Sequence, residues 1–242
     1  MSRILLEVAI ETADDAGAAH AGGADRLEVC GGLDLGGLTP SRGTIDEIRE
    51  RTILPLVIMI RPRGGDFVYS DSEIATMIRD IRYLHAVQPA AFVFGALTAA
   101  GEIHDEACRF LRQAAGDVPC VFHRAFDRTA DNRKALEECI RLGFVRILTS
   151  GKATDALAGS TNIAKLAAQA DGRIEILPCG RVRAGNAAEI VRLTGVTQVH
   201  GAFSETVPDS DAIGQRGYPS RSRTSREQVA ACRSVLEEFS VR

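Results

Sequence analysis

Short apolar runs alternate along the chain with longer stretches in which apolar positions recur every three or four residues. The short runs predict strands at 4–10, 26–30, 56–60, 91–95, 118–123, 146–149, 174–178 and 197–200. The longer stretches predict helices at 13–21, 44–51, 72–87, 104–114, 132–142, 161–169, 187–193 and 226–239. A period near two marks the strands and a period near 3.6 the helices. Eight strand–helix units in 242 residues predict a single (β/α)8 barrel spanning 1–242. The rival is an open doubly wound sheet, and no GxGxxG follows the first strand to support it. A weak repeat also favours the barrel. Gly23-Ala24-Asp25-Arg26-Leu27, Gly143-Phe144-Val145-Arg146-Ile147 and Gly195-Val196-Thr197-Gln198-Val199 each run from a helix-ending glycine into a strand that opens on a polar residue. Residues 204–225, rich in Ser, Arg, Pro, Gly and Asp, read as one long loop.

Alternation also sorts side chains. Those that pack under helices should be apolar, so Leu6, Val8 and Ile10 point outward and Glu7 inward. The same rule sends Arg26, Glu28, Cys30, Met59, Arg61, His123, Gln198 and His200 into the lumen. Glu7, Glu28, Arg61, His123 and His200 are expensive to bury unless they pair or bind something. An internal Arg26–Glu28 salt bridge is the purely structural alternative, but five such groups converging on the carboxyl-end mouth favour a site.

The third strand ends in Ile60-Arg61-Pro62-Arg63-Gly64-Gly65-Asp66-Phe67. Guanidinium groups offer forked donors for carboxylate or phosphate. This predicts an anion site with Arg61 as its inner clamp, Arg63 turned outward, and Asp66 pairing with the arginines. The fifth strand ends in His123-Arg124-Ala125-Phe126-Asp127, the sixth in Thr149-Ser150-Gly151 and the seventh in Cys179-Gly180. Arg124 extends the expected anion site. The two hydroxyls and Gly151 would add neutral donors, and glycines such as Gly180 after late barrel strands commonly face phosphate. Glu7, Glu28, His123, Asp127 and His200 are the candidate acid–base groups.

A net charge of −3 and a pI near 6.0 argue against nucleic acid or an anionic membrane as partner. No apolar run approaches the ~20 residues of a membrane span. Arg3 leads directly into a strand, so no secretory leader is expected. The six cysteines form no CxxC pair, which argues against a zinc ribbon and for buried thiols.

Glu28-Val29-Cys30, Gly36-Gly37-Leu38-Thr39-Pro40-Ser41, the Arg61–Ser70 run, Val93-Phe94-Gly95, Phe122–Asp127 and Leu148-Thr149-Ser150-Gly151 together resemble the CutC copper-homeostasis family. The likeness covers about residues 6–202. It implies a single TIM barrel, a cytoplasmic location, a homodimer or larger homo-oligomer, and Cu(I) as the metal handled. Cu(I) prefers thiolate and thioether ligands. The resemblance places a ligand at Cys30, and Cys179 could add a second sulfur. Many relatives carry another cysteine where this chain has Ala9. Three readings follow: a Cu(I)-binding protein, an enzyme acting on a small anionic and possibly phosphorylated ligand, or a barrel acting through partners with 204–225 as its contact.

Overall fold

The computed structural model describes residues 3–207 and 221–241. Eight parallel strands form the barrel: β1 (Leu5–Ile10), β2 (Arg26–Val29), β3 (Leu56–Met59), β4 (Ala91–Phe94), β5 (Cys120–Phe122), β6 (Arg146–Thr149), β7 (Glu175–Pro178) and β8 (Gln198–Gly201). From β1 to β7 each strand pairs with the next, and β1 also pairs with β8. The ladder is continuous from β7 through β1 to β8, a nearly closed (β/α)8 barrel.

The outer layer holds α1 (Ala13–Ala21), α2 (Arg42–Arg51), α3 (Asp71–Leu84), α4 (Asp105–Ala115), α5 (Asn132–Arg141), α6 (Ser160–Ala170), α7 (Ala184–Thr194) and α8 (Arg226–Val241). Local chemistry sets several of the starts. Thr12 and Asp15 form a capping box on α1, and Ser70 and Glu73 form one on α3. None of the described helices is long and apolar enough to cross a membrane.

The predicted loop at 204–225 needs correction at its two ends. Ser204–Thr206 (β9) and Ser222–Thr224 (β10) pair as an antiparallel ribbon. The backbone N–H of Thr224 donates to Asp15 Oδ1 at 2.7 Å, tying the ribbon to the start of α1. Residues 208–220 lie outside the described residues.

Two cores result from the alternation. The outer one lies between sheet and helices and includes Leu6, Ile58, Phe92, Phe94 and Phe122. Each such side chain contributes about 1.5–3 kcal/mol on burial. The inner one fills the barrel with Cys30, Val57, Met59, Ala91, Val93, Val121, Leu148, Leu177 and Cys179. The ladder sets Glu7 level with Arg26 on one side and His200 on the other. It sets Ala9 level with Glu28, two residues further toward the carboxyl end.

Candidate active site

Inside the barrel, Glu7 is the anchor. It is almost fully buried, and Arg26 Nε donates to its Oε2. Arg26 Nη2 also donates to Gln198 Oε1 at 3.0 Å. The internal salt bridge is therefore Arg26–Glu7, not Arg26–Glu28, because the register puts Arg26 beside Glu7. His200 Nδ1 lies 2.8 Å from Glu7 Oε1, and His200 Nε2 lies 3.6 Å from Glu28 Oε2. One imidazole thus sits between two carboxylates. Glu28 Oε2 also accepts from Cys30 Sγ at 3.6 Å, while Glu28 Oε1 is buried with no hydrogen-bond partner among the described residues.

The electrostatics follow from this order. Burial alone would raise the Glu7 carboxyl, but the charge of Arg26 and the contacts with His200 outweigh it and hold Glu7 at about 2. Burial raises Glu28, aided by the neighbouring Glu7 charge. For His200, burial opposes the charged form, yet Glu28 and Glu7 together raise its pKa above the usual imidazole value.

A cavity of about 210 Å³ opens over this unit at the carboxyl end of the barrel. Its lining includes Glu28, His200, His123, Met59, Phe67, Cys179, Gly180, Arg124 and Arg181. His123 Nδ1 accepts from the backbone N–H of Ala125 at 3.3 Å, and His123 Nε2 is buried with no partner among the described residues. Burial, with the nearby Arg61 charge, pushes His123 down to about 3, so the ring is neutral.

The run after β3 supports His123. The Phe67 ring contacts both the His123 ring, 4.8 Å away, and the Arg61 guanidinium, 4.9 Å away. Arg61 Nη1 donates to the carbonyls of Leu35 (2.8 Å) and Gly37 (3.1 Å), and Nη2 to that of Gly65 (2.8 Å). Both terminal nitrogens are thus spent on loop backbone, and Arg61 does not line the cavity. Arg63 pairs with Glu73 at 2.5 Å and with Asp66 at 3.1 Å, outside the mouth. Asp66 is largely exposed there.

Asp127 also has a supporting position. It accepts from Thr149 Oγ1 (2.5 Å), Ser150 N (3.0 Å), Ser150 Oγ (2.9 Å) and Arg124 Nε (3.2 Å). The hydroxyls of Thr149 and Ser150 are therefore engaged by Asp127, and Gly151 N donates back to Thr149 Oγ1 at 2.9 Å. Arg124 Nη2 reaches Ser150 Oγ at 3.2 Å, and the side chain stays half exposed at the rim. Gly180, at φ 94°, turns the chain after β7, and Arg181 follows at φ 54°.

Of the expected site residues, the cavity gathers Glu28, His123, His200, Arg124, Gly180 and Cys179. Glu7 stands beneath it as their anchor. Arg61, Asp127, Thr149, Ser150 and Gly151 hold the rim loops, while Arg63 and Asp66 brace the outside of one of them. Sequence reasoning missed Phe67, which closes the charged run after β3, and Arg181, signalled only by basic residues following Cys179-Gly180.

Among the described residues, Glu7, Glu28 and His200 bring ligand atoms within 4.8 Å of one another. Oxygen and imidazole donors suit hard or borderline divalent ions rather than Cu(I). Softer donors lie alongside. Cys30 Sγ and Met59 Cε both pack against Gly37, and a Cβ there would meet them at 3.1 and 3.2 Å. Burial, reinforced by the Glu28 charge, pushes the Cys30 thiol well above its usual pKa. Burial does the same to Cys179. Neither sulfur is held as the thiolate that Cu(I) prefers.

Residues 4–205 match the sequence model of the CutC family. A human copper homeostasis protein cutC homolog is 44% identical over 196 residues, covering 81% of this chain and 72% of its own length. A CutC family protein of Xylella fastidiosa is 45% identical over 213 residues, covering 88% of this chain and 79% of its own. The crystal structure of CutC from Streptococcus agalactiae superposes with a TM-score of 0.77 at 37% identity, over 82% of this chain and 98% of that one.

Proposed function

This chain belongs to the CutC family, and within it we propose that the barrel mouth is an enzyme-type acid–base site for a small anionic ligand. One observation carries the reading. Glu28, which lines the cavity, keeps a buried oxygen with no partner among the described residues, while His200 ties its other oxygen to Glu7. An unsatisfied buried carboxylate oxygen is costly, and a ligand that donates to it recovers the cost.

Glu28 exchanges a proton with the ligand. His200 stabilises the carboxylate form of Glu28 by its positive charge, and Glu7, fixed by Arg26, orients His200. Arg124 and Arg181 at the rim receive the anionic group, with the turn at Gly180 shaping the wall beside them. A cavity of about 210 Å³ suits a small ligand rather than a polymer.

Thermal melts with phosphate or sulfate test this. A ligand that binds only the folded state raises its stability. The increment should shrink in Arg124→Met and in Arg181→Met. Equal increments in parent and variants would mean general salt stabilisation and no anion site.

Copper handling is the second reading, favoured by the family's named role and by Cys30, Met59 and Cys179 sharing the barrel interior. It requires Cys30 to give up its contact with Glu28. Modest affinity is expected, with most of it lost in Cys30→Ala, measured by competition with a Cu(I) chelator under reducing conditions. Tight one-to-one binding that survives Cys30→Ala would remove Cys30 from the site. The six free, buried cysteines agree with a cytoplasmic protein, which cell fractionation checks.

A further inference from the structure

Two residues of the cavity's wall each carry an unpaired polar atom. Glu28 Oε1 is a buried acceptor and His123 Nε2 a buried nitrogen, and neither has a partner among the described residues. Both residues line the same cavity. The tautomer of His123 follows from its other nitrogen. Nδ1 accepts the Ala125 N–H, so the ring proton belongs on Nε2. His123 is therefore a neutral donor. Its surroundings keep it so: the ring is buried with Phe67 tilted against it, and the nearby Arg61 charge disfavours a second positive charge.

Resting on the acid–base reading above, we infer that the ligand is a small carbonyl compound with an anionic group, and that the site exchanges the proton on the carbon next to the carbonyl. His123 Nε2–H donates to the carbonyl oxygen. Glu28 Oε1 takes the α-proton as the C–H bond breaks. The C–H electron pair forms a C=C bond, and the carbonyl π pair moves to oxygen, giving an enolate held by His123. Returning the proton from Glu28 to carbon reverses the step, and no oxidant or reductant is needed. A neutral imidazole suits this role because it stabilises the oxyanion without itself being lost as an acid. His200, already placed between Glu7 and Glu28, keeps the carboxylate available as a base.

The test uses the full-length protein in D2O with dihydroxyacetone phosphate or pyruvate, read by proton NMR as loss of α-proton signal. Exchange from at least one probe should exceed the buffer rate by about 100-fold or more. Glu28→Gln should abolish that excess. His123→Leu should cost about 100-fold, and His123→Gln, which restores a neutral donor, should recover part of it. In parent protein labelled with 15N-histidine, the His123 proton should sit on Nε2; this needs no variant to fold. A proton on Nδ1, exchange that survives Glu28→Gln, or full-rate exchange in His123→Leu would each overturn the inference. Absence of exchange with both probes would overturn it too. If the Arg124-dependent stabilisation by phosphate persists in that case, the anion site stands and only the carbonyl chemistry falls.

Discussion

His200 Nδ1 lies 2.8 Å from Glu7 Oε1, although 193 residues separate them in the chain. The contact exists because β8 pairs with β1 and sets these residues level. It joins the closure of the sheet to the charge state of the site.

Among the described residues Glu7 is the only carboxylate paired with Arg26, so removing its charge leaves a buried guanidinium with Gln198 alone as partner. Glu7→Gln should destabilise the fold by about 3–5 kcal/mol, measured by denaturant unfolding. The pH dependence has a defined sign. His200 is raised above 6.5 in the folded state, so its contribution is complete below 6.5 and is lost as pH rises through the folded value. Melting temperature should therefore fall on the alkaline side of 6.5, and Glu7→Gln should flatten that slope. An unchanged slope would show that His200 is not held charged by Glu7.

His123 acts in the opposite direction. Its pKa falls from 6.5 to about 3, so the unfolded chain binds a proton that the folded protein refuses. Stability should decline as pH falls from 6.5 toward 3. Glu7, held at about 2 rather than 4.5, adds to that decline in the lower part of the range. His123→Gln should remove the share between 6.5 and 4.5, read from melts at closely spaced pH.

Arg61→Met leaves three carbonyls without their shared donor and Phe67 without its backing. A loss of about 3 kcal/mol is expected, or roughly 5–10 °C in melting temperature, whether or not phosphate is present. Arg61→Lys should not restore it, since an ammonium cannot span the same fork. A loss that appears only with phosphate would return Arg61 to the role of anion clamp.

Gly159 faces a backbone obstacle. A Cβ there would lie 1.9 Å from the carbonyl oxygen of Ser150, next to the turn that Asp127 organises. Gly159→Ala should be among the most destabilising single substitutions in the chain, whereas Gly185→Ala, with open space around it, should be near neutral. Parallel thermal melts compare the two.

These results also show what the chain reveals before folding. Period-two alternation was enough to turn Glu28, His123 and His200 inward, because an outward charge would have to sit under a helix, and Met59 inward, because Ile58 and Ile60 flank it on the helix side. It could not name partners. Arg61 looked like a ligand clamp because sequence displays its charge but not the carbonyls of Leu35, Gly37 and Gly65 that converge on it. Asp127 looked like an acid–base group because its acceptance of Thr149 and Ser150 joins loops 22 or 23 residues apart. The β9–β10 ribbon was hidden by its polar composition. It is held by pairing and by Asp15 rather than by an apolar face.

The most direct test follows all five histidines at once by 15N–1H NMR while phosphate, then 2-phosphoglycolate, is added to the protein. Only His123 and His200 line the cavity, while His20, His85 and His104 stand elsewhere. The account expects His123 and His200 to shift together, saturably and with one dissociation constant, while the other three stay fixed. If no histidine moves, or all five drift in proportion to ionic strength, the mouth of the barrel is not an anion-binding acid–base site.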